Sequence, residues 1–306
     1  MSKVATPRQV YQDGGVRAVL VGAWKHVLMH SRVSPLLQRL LGKRLHQKLY
    51  MHSRLGYLPN IREPRSFNEK TLHRKLFTED DRFAMVEDKW RVREYVASTV
   101  GSEILPEVYH VTDDPGTIPF DDLPAEYVVK PTHMSGPIIF VNEDEDPRRE
   151  RIRSRCREWL EESYGKLFCE YWYQDMEPRI LVEERLRDEA GDVPRDFKFF
   201  VFHGRVEYVQ VDHDRFSDHS RRYYDRDWNP QEFTTTFPLG PKIEEPELLN
   251  EMIDIAQELG EGFDFIRVDL FQLEDRIVFG ELTVAHGSGG RPFEPREYDF
   301  EFGSHW

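Results

Sequence analysis

Apolar residues recur at intervals of three and four along 15–60, through VRAVLVGAWKHVLMH and PLLQRLLGKRLHQKLYMHSRLG, with Lys, Arg and His between them. That spacing predicts amphipathic helices. Two fates fit such a segment: an arm packed on the body, or helices lying on a membrane surface. Pro59 and Pro64 interrupt the pattern. SFNEKTLHRKLF then opens a new helix, with Ser66 as its N-cap and Glu69 three residues on. A further helix is expected over 79–100, through EDKWRVREYVAS. EYVVKP (126–131) and PIIFV (137–141) read as strands on either side of the loop THMSG, a hairpin in outline. EDEDPRRERIRSRCREWLEE predicts a charged helix, and RILVEERL (179–186) a strand ending in acids. DFKFFVFHGRVEYVQVDHD (196–214) alternates around His203-Gly204, a hairpin turn. PELLNEMIDIAQELG (246–260) is helical, with Leu249, Ile253 and Ala256 on one face and Gly260 ending it. FIRVDLF and IVFGELTV are the last strands. There is no internal repeat, and antiparallel hairpins interleaved with helices predict an α+β fold.

The last two strands carry charge where a buried strand should not: Arg267 and Asp269 in the first, Glu281 in the second. Buried charges must be paired or hold a ligand. A hairpin turning near Glu274–Arg276 would set Asp269 opposite Glu281, and like charges repel there unless a cation lies between them. Hard carboxylate oxygens suit Mg²⁺, and Arg267, two residues from Asp269, shares its strand face and can meet a phosphate. An ion-pair cluster of the same three residues is the alternative. Lys130 closes a strand before a small-residue loop, where a phosphate can be cradled; capping the strand is the plainer role. Lys198 is a second strand cation. Glu183 and Glu184 follow an apolar run, where they can accept from an adenine amino group or merely be solvated. Neither a Walker A sequence nor a Ser-His-Asp or Cys-His constellation is present.

Composition narrows the partners. The chain has 306 residues and a net charge of −14, long enough for one large or two ordinary domains. Residues 1–60 carry +9 and the rest −23. An acidic body argues against nucleic acid, while the basic arm suits an anionic membrane surface, an anionic polymer or a protein. No apolar run is long enough to span a membrane, and the first 15 residues lack the apolar core of a secretory leader. Cys156 and Cys169 have no metal spacing and read as reduced thiols, so a cytoplasmic location is expected, with contact at the inner membrane face left open.

The order of these features resembles the ATP-grasp superfamily, and more closely its TupA-like branch, named for teichuronopeptide synthesis. The resemblance spans about residues 45–303. It rests on SFNEK (66–70), EDKWRVREYV (87–96), YVVKPTHMSG (127–136), ILVEERL (180–186), DFKFFVFHG (196–204), VQVDHDRF (209–216), RRYYDRDW (221–228), FIRVDLF (265–271) and FGELT (279–283). It implies two α+β subdomains clamping ATP behind an N-terminal helical arm. The expected division is an arm over 1–60 and an ATP-grasp domain over 61–306, itself divided into 61–125, 126–186 and 187–306.

By the same resemblance, Lys89, Lys130 and Lys198 contact the phosphates, and the loop Thr132–Gly136, with Thr132, Ser135 and Gly136, closes over them. Glu183, Glu184 and the backbone near Leu186 form the adenine and ribose edge. Asp269 and Glu281 hold Mg²⁺, and Arg267 stabilises the transferred phosphoryl group. Thr283 stands where most members have Asn, and Met134 where Gly is expected. His286 and Ser288 follow the metal strand; His286 is either a substrate or proton-transfer group or a satisfied loop histidine. Arg215, His219, Arg221, Arg222, Tyr224 and Trp228 cluster in 214–228, a segment suited to an anionic sugar or carboxylate, or an ordered surface loop. The implied activity is ATP-dependent, ADP-forming ligation of a carboxylate to an amine in cell-envelope or capsular polysaccharide synthesis. The carboxylate is small or polymer-linked. A sugar kinase or glycosyltransferase on the same fold, or a non-catalytic nucleotide-binding partner, are the competing readings.

Overall fold

A computed structural model describes residues 27–29, 33–142, 148–188, 191–213, 218–274 and 276–306. Helices α1 (Ser34–Leu41) and α2 (Lys43–Leu55) precede α3 (Phe67–Phe77), α4 (Arg82–Glu87) and α5 (Val92–Thr99). Strands β1 (Val108–Thr112), β2 (Tyr127–Pro131) and β3 (Ile139–Val141) follow, then helix α6 (Arg149–Glu161) and β4 (Ile180–Glu183). The second half runs β5 (Asp196–Phe202), β6 (Arg205–His213), β7 (Ser220–Asp225), β8 (Thr234–Thr235), α7 (Leu249–Leu259), β9 (Phe265–Leu273), β10 (Arg276–Thr283), β11 (Phe293–Glu294) and α8 (Glu297–His305). Among the described residues no helix is long and apolar enough to cross a membrane.

The capping box expected at Ser66 is present. Ser66 Oγ accepts from Glu69 N at 3.2 Å, and Glu69 Oε2 accepts from Ser66 N at 3.1 Å. The single helix expected over 79–100 is instead two, α4 and α5. Asp88 breaks it, because its carboxylate accepts from Trp90 N at 2.8 Å and Arg91 N at 3.1 Å, capping a new start. The break frees the Lys89 N–H to donate to Thr132 O at 3.1 Å, which ties this segment to the loop after β2.

Four strands form one antiparallel sheet in the order β1-β4-β2-β3, with the expected β2–β3 hairpin. Its core is Val129, Ile180 and Val182 under Ile152, Cys156 and Trp159 of α6. Five strands form the other sheet, β10-β9-β5-β6-β7, all antiparallel. The β5–β6 turn has φ 49° at His203 and 78° at Gly204, the two left-handed residues that a tight hairpin demands. β8 pairs with β11.

Strand alternation divides the five-stranded sheet into two faces. Phe197, Phe199, Val201, Ile266, Val268 and Leu270 point one way, into a core closed by α5 and α7. On the other face Phe200, Phe202, Phe265 and Tyr223 pack against Phe67 of α3 and Phe302 of α8. Beyond these aromatics that second face turns polar. The described part of the basic arm packs on the body: Gln38 and Gln47 both donate to Leu167 O, at 2.8 and 2.7 Å, and Tyr50 and Met51 are buried with Leu72. Residues 1–26 and 30–32 of the arm lie outside the described residues.

Candidate active site

Register turns isolated strand charges into one stripe. Lys198 on β5 pairs with Asp269 on β9, and Asp269 pairs with Glu281 on β10. On the other side Lys198 pairs with Gln210 on β6, and Asp212 with Arg221 on β7. A bulge at Gly280 makes the Glu281 position possible. Phe279 opposes Leu270 on the apolar face, and the extra residue rotates the strand so that Glu281 shares the face of Asp269. A Cβ at Gly280 would lie 3.0 Å from Asp269 O and 3.0 Å from the Phe271 ring, so glycine is what the close approach allows.

Arg267 knits the stripe together. Its Nε donates to Asp269 Oδ1 at 2.6 Å, one Nη donates to Asp269 Oδ2 at 2.7 Å and to Glu281 Oε1 at 2.6 Å, and the other donates to His286 Nδ1 at 2.7 Å. Burial opposes its charge, but Asp269 and Glu281 outweigh that, so its pKa lies above the ordinary arginine value. Lys198 donates to Asp196 at 2.5 Å and also pairs with Asp269. Burial still lifts the Asp269 carboxyl to about 6, against the pull of Arg267 and Lys198. Because a guanidinium N–H only donates, Nδ1 of His286 is the acceptor and its proton sits on Nε2. Burial and then Arg267 hold the His286 pKa well below normal, so the imidazole is neutral. Its Nε2–H has no hydrogen-bond partner among the described residues.

The stripe floors a cavity of about 550 Å³. Lys198, Gln210, Asp212, Arg221, Arg267, Glu281 and Thr283 line it from this sheet, Ser135 from the loop after β2, and Lys89 from the segment between α4 and α5. Lys89 donates to Met134 O, and burial lowers its pKa against the pull of Glu281. Met134 is buried in the smaller sheet's core and anchors the loop, while Gly136 takes φ 101° in open space. His286 and Ser288 lie in the wall, and Ser288 accepts from Lys75 at 2.7 Å. His219 stacks on Phe237 at 3.8 Å and reaches Asp212 at 3.2 Å. Arg221 and His219 overcome burial to hold Asp212 below the usual carboxylate range.

Other expected site residues stand elsewhere. Lys130 pairs with Glu183 on the neighbouring strand, and Glu184 pairs with Arg276 at 2.5 Å, so both acids are engaged at the strand end before Leu186. Thr132 is buried, and its N–H donates to Arg179 O at 2.9 Å. Alternation sends Arg222 and Tyr224 away from the cavity. Arg222 Nε donates to Gly240 O at 2.9 Å, and Tyr224 stacks on Trp228 at 4.1 Å in the apolar core. Arg221, next to Arg222 in sequence, faces the cavity. Arg215 lies outside the described residues. Several wall residues were not singled out from the sequence: Tyr50 and Arg54 on α2, Glu87, Glu170, Gln210, Asp212 and Arg291. Burial raises the Glu87 carboxyl to about 7, although it accepts from Tyr173 Oη and from Val284 N at 2.8 Å.

The TupA-like ATPgrasp family model matches residues 69–306. This chain belongs to the TupA-like ATP-grasp family. Among solved structures it is similar to the ATP-grasp ligase PsnB complexed with a phosphomimetic variant of its minimal precursor, Mg and ADP. That pair shares 13% identity over 89% of this chain and 73% of the other, with a TM-score of 0.42. D-alanine–D-alanine ligase from Bacillus anthracis complexed with ATP matches at 13% identity over 66% of this chain and 57% of its own, TM-score 0.39. A RimK domain ATP-grasp protein from Sphaerobacter thermophilus matches at 12% identity over 78% and 69%, TM-score 0.39. The chain spans 56–57% of the length of the first solved structures it matches. No curated protein matches it.

The oxygen donors on this floor suit a hard divalent cation. Glu281 is 37% exposed toward the cavity, and Thr283 Oγ1 lies 3.3 Å from its Oε1. Asp269 spends both oxygens on Arg267 and Lys198. Among the described residues no group of three or more His, Cys, Asp or Glu stands ready to hold a metal alone. Glu281 and the Thr283 hydroxyl fit Mg²⁺, which takes its remaining ligands from phosphate and water, and Asp269 would join them on releasing an oxygen from Arg267 or Lys198.

Proposed function

We propose that this protein is an ATP-dependent, ADP-forming carboxylate–amine ligase. The observation that carries this reading is the Lys198–Asp269–Arg267–Glu281 stripe, opened by one bulge into a cavity that Lys89 and Ser135 line from the opposite wall. The nucleotide lies between the Thr132–Gly136 loop and this floor, with its phosphates on Lys89, Lys130 and Lys198. Glu183, Glu184 and the backbone near Leu186 meet the adenine and ribose, once Lys130 has turned from Glu183 to phosphate. Asp269 and Glu281 would hold Mg²⁺, which would neutralise phosphate charge. Thr283 completes that donor set in place of Asn.

In the first step a carboxylate oxygen of the substrate attacks the γ-phosphorus, the bond to the β-phosphate oxygen breaks, and ADP leaves. Two anions meet in that step, so the surrounding cations lower its barrier, and rigid positioning contributes the rest. Arg267 is pinned by four hydrogen bonds and stays charged, as a fixed donor opposite developing negative charge must. In the second step an amine attacks the acyl carbon, the carbon–oxygen bond to phosphate breaks, phosphate leaves, and the amine gives up a proton. The family's name points this chemistry toward envelope or capsular polysaccharide, joining an amino acid to a uronic acid or to another amino acid. Contact of the basic arm with the inner membrane face or an assembly partner belongs to the same proposal.

Purified protein with Mg²⁺, ATP, hydroxylamine and a panel of carboxylates, including free and nucleotide-linked uronic acids, tests it. Carboxylate-dependent ADP with matching hydroxamate, both lost in Glu281→Gln, is the expected result. AMP in place of ADP would overturn the reading.

A further inference from the structure

Every carboxylate that lines the cavity has a partner. Glu87 accepts from Tyr173 and Val284 N, Asp212 pairs with Arg221, and Glu281 pairs with Arg267. Glu170 lies against Ser288 and the Lys75 charge. Three of the lining cations form no ion pair with a described residue: Lys89, which donates to Met134 O and which the ligase reading gives to the phosphates, Arg54 and Arg291. Arg54 donates only through Nε, to Gly290 O at 3.1 Å, and forms no ion pair with a described residue. The Arg291 guanidinium makes no hydrogen bond and no ion pair with any described residue; its backbone alone is held, by Asn68.

Both arginines sit on the same turn. A Cβ on Gly287 would fall 2.3 Å from Arg291 Cγ, and one on Gly290 would lie 3.7 Å from Arg54 Nε. Burial, and then the charges of Arg221 and Arg54, push the Arg291 pKa down to about 10. Cations crowded on a cavity wall without a counter-charge are costly unless an anion joins them. The guanidinium fork is matched to planar carboxylate and to phosphate, which it grips with two parallel hydrogen bonds. ATP does not need these two groups, because Lys89 and Lys198 already line the cavity. Arg267 is not available to a second anion either: four of its five N–H groups go to Asp269, Glu281 and His286, and the ligase reading gives the fifth to the transferred phosphoryl group.

We infer that Arg54 and Arg291 form a subsite for an anionic group of the acceptor substrate, a carboxylate or phosphate distinct from the carboxylate that becomes phosphorylated. The inference rests on the ligase reading for the word acceptor, and it narrows the substrate to a molecule with at least two anionic groups. It also gives α2 a task. Arg54 lies outside the 69–306 span of the family match, so the basic arm completes the substrate pocket.

The test fills the triphosphate positions with a non-hydrolysable ATP analogue and Mg²⁺, then titrates inorganic phosphate and, separately, malonate by calorimetry. At least one anion should bind the wild-type protein. Arg54→Gln and Arg291→Gln should each weaken it by about tenfold to a hundredfold, the loss expected for charge-assisted hydrogen bonds. Affinity for the ATP analogue should stay unchanged. Arg54→Lys and Arg291→Lys keep the charge but not the fork, and serve if a Gln variant fails to fold; they should lose part of the affinity. Binding of phosphate alone identifies a phosphorylated acceptor, and of malonate alone a dicarboxylate; either supports the subsite. Binding of neither anion, equal binding by the variants, or loss of nucleotide affinity in step with anion affinity would overturn it. If the ligase reaction fails while arginine-dependent anion binding persists, the ligase reading falls and the subsite stands. If the ligase turns over with KM values indifferent to Arg54 and Arg291, the reaction stands and the subsite falls.

Discussion

Replacing Arg267 by Ala removes four hydrogen bonds, two to Asp269, one to Glu281 and one to His286. The larger cost is the charge left behind. Asp269 keeps Lys198, but Glu281 then faces Asp269 across the β9–β10 pair without the cation that joined them. Deleting one partner of a buried ion pair costs roughly 3–5 kcal/mol. Glu281 is 37% exposed, which lets water carry part of its charge. The expected loss is therefore near the lower end, about 3 kcal/mol. Adding Glu281→Gln removes the carboxylate that Arg267 neutralised, so the double variant should be about 1–2 kcal/mol more stable than additivity requires. Urea unfolding of the wild type, both single variants and the double variant measures these terms. The pH dependence has a definite sign. Asp269 already has its carboxyl raised to about 6, and losing Arg267 raises it further. Acidification therefore neutralises the repulsion, and the Arg267→Ala defect should be smaller near pH 5 than near pH 7.5. A loss under about 1 kcal/mol, strict additivity, or a defect that grows on acidification would mean that Arg267 does not hold the two carboxylates together.

Gly280→Ala should cost roughly 1–3 kcal/mol in a thermal or urea melt and weaken Mg²⁺-dependent nucleotide binding, because its Cβ meets backbone at 3.0 Å and Glu281 moves with any relief; an unchanged melt would show that the bulge is slack. Ser66→Ala should cost about 1 kcal/mol in urea unfolding, since Glu69 N loses its acceptor; no loss would mean the cap is replaced by water. Glu87 holds a proton up to about pH 7 in the folded state, against an ordinary value of 4.5. Its contribution to stability is full below 4.5, declines through that window and is lost above 7. Glu87→Gln should flatten that decline, so wild type and variant should diverge as pH rises from 5 to 8; parallel curves would contradict the raised value.

Short-range chemistry was legible in the chain. Ser66 and Glu69 announced a cap, His203-Gly204 a turn, and the apolar runs around Asp269 and Glu281 a hairpin that set them face to face. Each of these is decided within a few residues. The break at Asp88 was hidden because its capping role competes with helical periodicity that continues on both sides. The segment 214–228 read as a binding cluster or a surface loop, not as a strand; that Ser220–Asp225 forms β7, and which of its faces meets the cavity, depends on the pairing of Asp212 with Arg221, a long-range fact. For that reason Arg221 faces the cavity while Arg222 and Tyr224 serve the fold. Arg54 and Arg291 lie far apart in sequence and meet only at the 286–290 turn, so no spacing rule could have joined them.

Oxygen transfer tests the acyl-phosphate reading most directly. Once the panel has identified the acid, its carboxylate is labelled with ¹⁸O and the released inorganic phosphate is examined by mass spectrometry or ³¹P NMR. An acyl phosphate carries one carboxylate oxygen into phosphate, so each ADP formed should be matched by one labelled phosphate, and Glu281→Gln should abolish both. Unlabelled phosphate accompanying ADP, with the ¹⁸O retained in the acid, would contradict the account.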